Sequence, residues 1–144
     1  MGNSSNILHN CLYFTANSLA RVISRMAEEE FRKNGLSPSH AFLMMLANDL
    51  PGLTQNELAE QLNLAPSTVT RFIDTLVNKG FLTRHSEGKL SRIYPTKNGQ
   101  LLKEDIDASW KNLHERYSKI LGQENGDQLA AAVDAASLKL SKSR

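Results

Sequence analysis

Four polar residues in the middle of the chain combine hydroxyl groups with a guanidinium. Ser67, Thr68, Thr70 and Arg71 lie within one short segment. Hydroxyl groups bond to phosphate oxygens or base edges, and an arginine can donate two parallel hydrogen bonds to guanine. Each residue alone fits an ordinary solvated helix face at least as well, whereas the set favours contact with nucleic acid.

Two short helices joined by a tight turn are predicted to present these residues. Thr54 can cap the first helix, and Glu57 can reach back to the Thr54 amide as in a capping box. Asn63 is expected to end that helix. Pro66 fits the first turn of the second helix, where its missing N–H costs nothing, and Gly80 closes that helix in a left-handed conformation. A capped helix, a turn and a proline-started helix together favour a DNA-reading helix pair.

A basic β-hairpin is predicted directly after the second helix. Its strands are expected at residues 81–85 and 92–95, around a polar loop over residues 86–91 that contains one glycine. Arg84, Lys89 and Arg92 make the hairpin positive. Such a hairpin beside a reading helix typically contacts phosphates or the neighbouring minor groove, although by itself it fits an ordinary exposed hairpin.

The run from Leu53 to Leu102 resembles the winged helix-turn-helix of the MarR family of bacterial transcription regulators. The order and spacing of the motif pieces carry the resemblance, and the long flanking helices extend it over nearly the whole chain. The matching residues are Leu53–Gln55, Glu57–Ala59, Ser67–Arg71, Asp74, Leu76, Lys79–Leu82, Arg84, Glu87–Lys89, Ile93–Thr96 and Gly99.

The hairpin, or wing, departs from the family pattern at three positions. Glu87 and Lys89 stand where the family usually has an aspartate and an arginine, so charge is kept but the planar fork of arginine is lost. Pro95 replaces an aliphatic residue. Because proline removes a donor from the strand ladder, the second wing strand is expected to be short.

The expected fold is mainly α with a small β-hairpin, as a winged helix-turn-helix flanked by N- and C-terminal dimerisation helices. We expect one domain over residues 1–144, with the DNA-binding region at 36–100 and dimerisation helices at 5–34 and 101–142. Apolar periodicity predicts single helices from Ile7 to about Lys33 and from Thr96 to about Leu121. The resemblance implies that the terminal helices interlock in a homodimer; their apolar stripes alone also fit burial against the same chain.

Composition agrees with one compact unit that carries no membrane segment. The chain has 144 residues, a net charge of +2, a pI of about 8.8 and 40% hydrophobic residues. This balance is only mildly basic, so the local clustering of cations carries the nucleic-acid argument. A long apolar run and a signal peptide are both missing from the sequence, and a single cysteine excludes an internal disulfide framework. These features predict a cytoplasmic location.

Cys11 is a candidate redox residue near the start of the first helix. The resemblance implies that members of the family respond to small aromatic or phenolic ligands, or to oxidants through a cysteine. Tyr13 or Tyr117 could hydrogen-bond a Cys11 thiolate. The interpretation we prefer is an inert, half-buried cysteine that packs like a small hydrophobic residue.

Catalytic and metal-binding signatures are missing from the sequence. It contains neither a glycine-rich phosphate loop nor an HExxH motif, so we expect that the protein is not an enzyme and that it uses no cofactor. His9, His40, His85 and His114 have no short metal-ligand spacing, and no metal site is predicted.

The sequence thus predicts a DNA-binding transcriptional regulator, a homodimeric repressor of a palindromic operator in double-stranded DNA, released by a small aromatic or phenolic ligand. The alternatives are an oxidant-sensing repressor that uses Cys11 and a winged-helix module that binds another protein. The candidate DNA contacts are Thr54, Gln55, Ser67, Thr68, Thr70, Arg71, Arg84, Lys89 and Arg92.

Overall fold

The computed structural model describes residues 2–143, which form two compact units. The first unit ends at Ser109 and the second begins at Trp110. The expectation of one domain over the whole chain stays a prediction. Within residues 2–143, no helix has both the length and the apolar character needed to cross a membrane.

The described elements are mostly helical, which confirms the predicted fold class. The helix pair is α4 and α5, and the wing is β2 and β3. In chain order the elements are α1 Asn3–His9, α2 Leu12–Arg32, α3 Pro38–Asp49, β1 Leu53–Thr54, α4 Gln55–Leu62, α5 Pro66–Asn78, β2 Leu82–Glu87, β3 Leu90–Pro95, α6 Lys97–Leu101, α7 Lys103–Leu121 and α8 Gln123–Lys142.

The predicted single helix from Ile7 to Lys33 is wrong, because the chain breaks between α1 and α2. The last turn of α1 tightens into i to i+3 hydrogen bonds, including one of 3.1 Å from the Cys11 amide to the Leu8 carbonyl. Cys11 itself is extended, with φ −95° and ψ 124°, and is the N-cap of α2. The apolar pattern continues across this break, so periodicity alone did not reveal it.

The predicted single helix from Thr96 to Leu121 is also divided, at Leu102. Thr96 is the expected cap, since its Oγ1 accepts from the Gly99 amide at 3.1 Å. The Gly99 carbonyl, however, accepts from the Asn48 side chain at 3.1 Å and from the Leu102 amide at 3.2 Å. This contact with α3 accompanies a tightened turn, and α6 ends before α7 begins.

The predicted β-hairpin is confirmed, and the short strand β1 extends it to a three-stranded antiparallel sheet. The strand order is β1-β3-β2, and Thr54 of β1 lies opposite Arg92. The wing strands are longer than predicted, because Glu87 pairs with Leu90 and leaves only a two-residue turn. Gly88 supplies the positive φ, +61°, that such a turn requires.

Pro95 does not shorten the second wing strand, contrary to the prediction. The strand β3 has six residues and Pro95 is the last of them. Pairing with β1 involves only Ile93 and Arg92, so the missing N–H lies beyond the central part of the ladder.

Side chains from α3, α4, α5, both wing strands and α7 form the core of the first unit. Phe31 of α2 also packs edge-on against Phe42 of α3, with ring centroids 5.3 Å apart. This core holds α5 and the wing on one scaffold. The largest fully buried side chains of this core are Phe31, Leu43, Met44, Leu58, Val69, Ile73, Leu76, Leu82, Ile93 and Ile106.

The end of α5 fixes where the wing begins. Gly80 adopts φ +83°, and its amide donates to the Val77 carbonyl at 2.9 Å. The Phe81 amide donates to the Leu76 carbonyl at 2.9 Å. These two bonds form a Schellman motif, which confirms the predicted helix end and turns the chain directly into β2.

Gly99 lies where α6 closely approaches the start of the wing. A Cβ on Gly99 would lie 2.1 Å from the Phe81 carbonyl oxygen and 3.0 Å from the Met44 side chain. Since a backbone oxygen cannot simply rotate away, this position requires glycine.

We predict that Gly99→Ala destabilises the protein by about 1–3 kcal/mol, because the added methyl group forces a backbone shift. Urea unfolding measures the change. Gly126→Ala is the matched control, since that helical glycine has its closest neighbour, Tyr117, at an ordinary 3.5 Å. Unchanged stability of Gly99→Ala would contradict the packing argument.

Candidate nucleic-acid interface

The helix pair begins at Thr54, whose hydroxyl is used inside the protein. Its Oγ1 accepts from the Glu57 amide at 3.1 Å and donates to Glu57 Oε1 at 3.0 Å. In the predicted capping box, the Glu57 carboxylate would accept from the Thr54 amide. The backbone of Thr54 instead belongs to β1, opposite Arg92, and the carboxylate accepts a hydrogen bond from the Thr54 hydroxyl. Thr54 is 8% exposed and shapes the start of α4.

The turn between α4 and α5 follows the predicted residues. Asn63 is left-handed, with φ 55°, and ends α4. Leu64 folds back so that its amide donates to the Ala59 carbonyl at 3.1 Å. Pro66 occupies the first turn of α5, and in the described part of the chain no side chain caps that helix start. The positive end of the α5 dipole therefore stays available to an anion.

The outward face of α5 carries Ser67 and Arg71, which are exposed and one helical turn apart. The Arg71 carbonyl accepts from the Thr75 hydroxyl at 3.1 Å, whereas its guanidinium makes no hydrogen bond or ion pair with any residue in 2–143. The Thr70 hydroxyl donates to the Pro66 carbonyl at 2.9 Å and accepts from Gln55 Nε2 at 3.4 Å, which leaves one lone pair. Thr68 is half-buried beside these residues. The structure thus brings together the four polar residues singled out in the sequence.

Arg84 of β2 joins the wing to both helices of the pair. Its Nε donates to Gln55 Oε1 at 3.0 Å, and its Nη2 forms an ion pair with Asp74 of α5. The same Nη2 lies 3.5 Å from the Thr70 carbonyl. Gln55 also reaches Thr70, with its Nε2 3.4 Å from the hydroxyl. We call Gln55, Thr70, Asp74 and Arg84 the wing clasp.

Asp74 is the member of the wing clasp whose role the sequence analysis missed. It entered only as part of the family motif. The available signal was a carboxylate on an otherwise hydroxyl-rich and basic helix face, with an arginine ten residues later. Sequence alone did not show that the two side chains meet.

Arg92 is held within the wing and against the loop before β1. Its Nε donates to Glu87 Oε2 at 2.7 Å, and its Nη1 donates to the Gly52 carbonyl at 2.9 Å. The hydrogen bond to the Glu87 carboxylate raises the pKa of Arg92. The contribution of Gly52 was not expected, because it is a backbone group distant in sequence.

Lys89 lies in the two-residue turn at the tip of the wing and is exposed. Of the three wing cations predicted as DNA contacts, Arg84 and Arg92 have carboxylate partners, whereas Lys89 has none among residues 2–143. Arg71 and Lys89 are therefore the cations of this surface whose charge is not already paired.

His40 of α3 packs against the inner side of α5. Its ring lies 4.7 Å from that of Phe72 at a tilt of 60°. Ser37 Oγ lies 2.5 Å from Nδ1, while the buried Nε2 has no hydrogen-bond partner in the described part of the chain. Burial, and secondarily the nearby Lys79 charge, lowers the pKa of His40.

Cys11 is half-buried at the N-cap of α2. Its thiol has no hydrogen-bond partner within residues 2–143, and neighbouring Tyr13 is 79% exposed. Tyr117 belongs to the second unit. The redox role stays a prediction. Among the described residues, no three His, Cys, Asp or Glu side chains cluster as metal ligands.

Apolar side chains lie exposed on each unit taken by itself. In the first unit, Leu12 and Val22 of α2 are 63% and 57% exposed. In the second unit, Val133 and Leu140 of α8 are 48% and 58% exposed. These surfaces fit the apolar stripes seen in the sequence, and they are not covered by the chain's own core.

Comparison with known proteins shows similarity to MarR-family regulators. Residues 36–87 match the model of the MarR family. The HTH-type transcriptional repressor MdtR of Bacillus subtilis (strain 168) is 27% identical over 130 residues, covering 88% of this chain and 84% of MdtR. The predicted family resemblance is thereby confirmed.

Solved structures resemble the fold over most of the chain. The repressor CouR bound to a 23-mer DNA duplex has a TM-score of 0.83 at 18% identity, covering 95% of this chain and 98% of CouR. CouR from Rhodococcus jostii RHA1 bound to p-coumaroyl-CoA has a TM-score of 0.77 at 20% identity, covering 90% and 93%. This similarity concerns the fold.

The lowered pKa of His40 predicts a stability loss in acid. Since the unfolded chain binds this proton more tightly, the stabilisation is present above the ordinary value of 6.5 and is lost as the pH falls below it. Urea unfolding between pH 7.5 and 5 should show a smaller loss for His40→Gln than for the wild type. His85→Gln, at an exposed histidine, is the control. Equal losses for His40→Gln and wild type would contradict the prediction.

Proposed function

We propose, from the match of residues 36–87 to the MarR family model and the similarity to MdtR, that this chain is a MarR-type regulator: a sequence-specific DNA-binding repressor that acts as a homodimer on a palindromic promoter operator. One observation carries the proposal. The reading helix and the wing tip each present an unpaired cation, Arg71 and Lys89, on a scaffold in which the other interface cations are already paired.

The reading helix α5 enters the major groove in the proposed complex. Arg71 donates to a base edge, with guanine as the preferred partner because its two acceptors match the arginine fork. Ser67 and Thr68 bond to phosphate near the positive helix end, and the remaining lone pair of the Thr70 hydroxyl accepts from a donor on the DNA. Sequence discrimination then comes from α5.

The wing anchors the complex through the DNA backbone. Lys89 at the tip contacts phosphate, as a point charge rather than as a planar fork. Arg92 holds the hairpin through Glu87 and Gly52, and so acts on DNA by keeping the wing in shape. Thr54 caps α4 in the same supporting way.

Two relatives support this assignment. MdtR is a transcriptional repressor by its name, and CouR has been solved on a DNA duplex. A dimer that covers a promoter blocks polymerase, so we propose repression as the outcome of binding. The cytoplasmic location follows from this role and stays a prediction.

The homodimer is proposed from the exposed apolar surfaces. The exposed apolar side chains on α2 and on α8 favour burial against another copy. A two-fold dimer presents two copies of α5 to successive major grooves, about 34 Å apart. A palindromic operator matches this symmetry.

Release by a small aromatic or phenolic ligand completes the proposal. CouR is known with p-coumaroyl-CoA bound, which carries a phenolic group. A ligand releases the operator only if it binds the DNA-free arrangement more tightly than the DNA-bound one. Oxidation of Cys11 is the alternative trigger, and it is tested by the response of Cys11→Ser to peroxide in the same release assay.

A titration of DNA from upstream of the protein's own gene, at several salt concentrations, tests the function. We predict tighter binding than to a scrambled duplex, and a loss of about 1–3 kcal/mol for Arg71→Ala on the specific duplex alone. Arg25→Ala, at an exposed arginine of α2, is the matched control. Specific binding that survives Arg71→Ala would refute the reading role of α5. Equally weak binding of wild type to both duplexes would favour the protein-interaction module.

Sedimentation in the analytical ultracentrifuge tests the homodimer. We predict a dimer at micromolar concentration. Val133→Glu should shift the population towards monomer, because it places a carboxylate within the exposed apolar stripe of α8. A wild-type protein that sediments as a monomer at this concentration would rule out the dimer.

A further inference from the structure

We infer that Arg84 is a positioning residue, which fixes the wing on the reading helix and does not itself bind DNA. The inference rests on the proposed function and assigns a role within the same interface. It replaces the sequence-based expectation that Arg84 is one of the wing's phosphate contacts.

The contacts of Arg84 are divided between two helices. Its Nε is bonded to Gln55 of α4 at 3.0 Å, and its Nη2 is bonded to the Asp74 carboxylate of α5. Its side chain is 30% exposed. Since the guanidinium is planar and rigid, these two bonds fix its orientation relative to both helices.

The position of the wing clasp along the hairpin allows it to set the angle between the wing and α5. The hairpin leaves α5 at Gly80 and Phe81, where the Schellman bonds fix one point. Arg84 fixes a second point on the same strand. A strand pinned at two points has a defined direction, whereas a strand held at one end can pivot.

The wing tip is far enough from the clasp for a small pivot to matter. Lys89 lies five residues beyond Arg84, which is roughly 17 Å along a strand at about 3.3 Å per residue. A rotation of about 10° would move the tip by roughly 3 Å, and a hydrogen bond does not survive that displacement. The clasp thus controls whether Lys89 reaches its phosphate.

Charge also argues against phosphate contact by Arg84. The Asp74 carboxylate neutralises the guanidinium, and a phosphate would have to displace it. Arg71 and Lys89 have no such competitor among residues 2–143. The ion pair of Arg92 and Glu87 does not join the wing to a helix, as the clasp does, because both of those side chains belong to the hairpin.

Asp74→Asn distinguishes the two possible roles of Arg84, because they predict opposite changes in DNA affinity. If Arg84 were a phosphate contact, removing this carboxylate would free the arginine and reduce repulsion of DNA, so binding would tighten. If Arg84 positions the wing, the same change loosens the clasp and specific binding weakens. Asp74 has a 54% exposed side chain, so the variant is expected to fold.

Arg84→Lys supplies the second comparison. Lysine keeps the positive charge but lacks the planar fork that bonds Gln55 and Asp74 together. A phosphate contact would be largely rescued by lysine. A positioning role would not be rescued, and the variant should bind DNA like Arg84→Gln.

The experiment measures fluorescence anisotropy of the full chain with its specific duplex and with a scrambled duplex. We expect Asp74→Asn and Arg84→Lys each to weaken specific binding on the order of tenfold, equal to about 1.4 kcal/mol. Asp107→Asn, which breaks the exposed 3.0 Å pair with Lys103 on α7, is the matched control and should bind like wild type. Thermal unfolding checks that each variant is folded.

Amide hydrogen exchange of the free protein gives a readout that needs no DNA. We expect faster exchange in β2 and β3 of Asp74→Asn and unchanged exchange in the core of α5. Tighter specific binding by Asp74→Asn, wild-type affinity of Arg84→Lys, or unchanged wing exchange would each overturn the inference. A wild type that does not prefer the specific duplex would instead contradict the proposed function, and the exchange result would still test the clasp.

Discussion

The arrangement of the interface depends on one guanidinium shared among three elements. Arg84 of the wing bonds to Gln55 at the start of α4 and to Asp74 on α5. Thr54, next to Gln55, both caps α4 and pairs with the wing strand β3 through its backbone. The helix pair and the wing therefore form one rigid surface. Two arginines suited to DNA contact are used to build that surface, and the unpaired charge is left at Arg71 and Lys89.

The apolar residues are divided between a buried core and an exposed surface on α2 and α8. This exposed surface is the reason that the proposed function includes a second copy of the chain. Side chains of α3, α4, α5 and the wing close the core of the first unit almost completely, as the fully buried Leu43, Ile73 and Ile93 illustrate. Leu12 on α2 and Leu140 on α8 remain exposed by more than half. Exposed apolar surface of this kind favours association, and two-fold symmetry matches the palindromes that dimeric repressors bind.

Features set by neighbouring residues could be predicted from the sequence. Thr54, Asn63, Pro66 and Gly80 each act within one helical turn, and all four mark the helix ends that the structure has. The wing strands were predicted too short, because their polar residues resemble a loop and the two-residue turn at Gly88 was not identified.

Features set by distant residues could not be predicted. The break at Leu102 coincides with a bond from Asn48 to the Gly99 carbonyl, across 51 positions of sequence. Arg84 was correctly identified as a candidate interface residue, but its bonds to Gln55 and Asp74 exist only in the folded chain. A sequence gives the type of charge at such a position, and the packing around it decides whether that charge is free.

The central claim is that two copies of α5 read DNA as a symmetric pair. Selection of bound duplexes from a random-sequence pool by the full-length protein tests it most directly. We predict enrichment of a palindrome whose half-site centres lie about one helical turn, roughly 10 base pairs, apart. A pool that stays random after repeated selection, or that yields only a single asymmetric half-site, would contradict it.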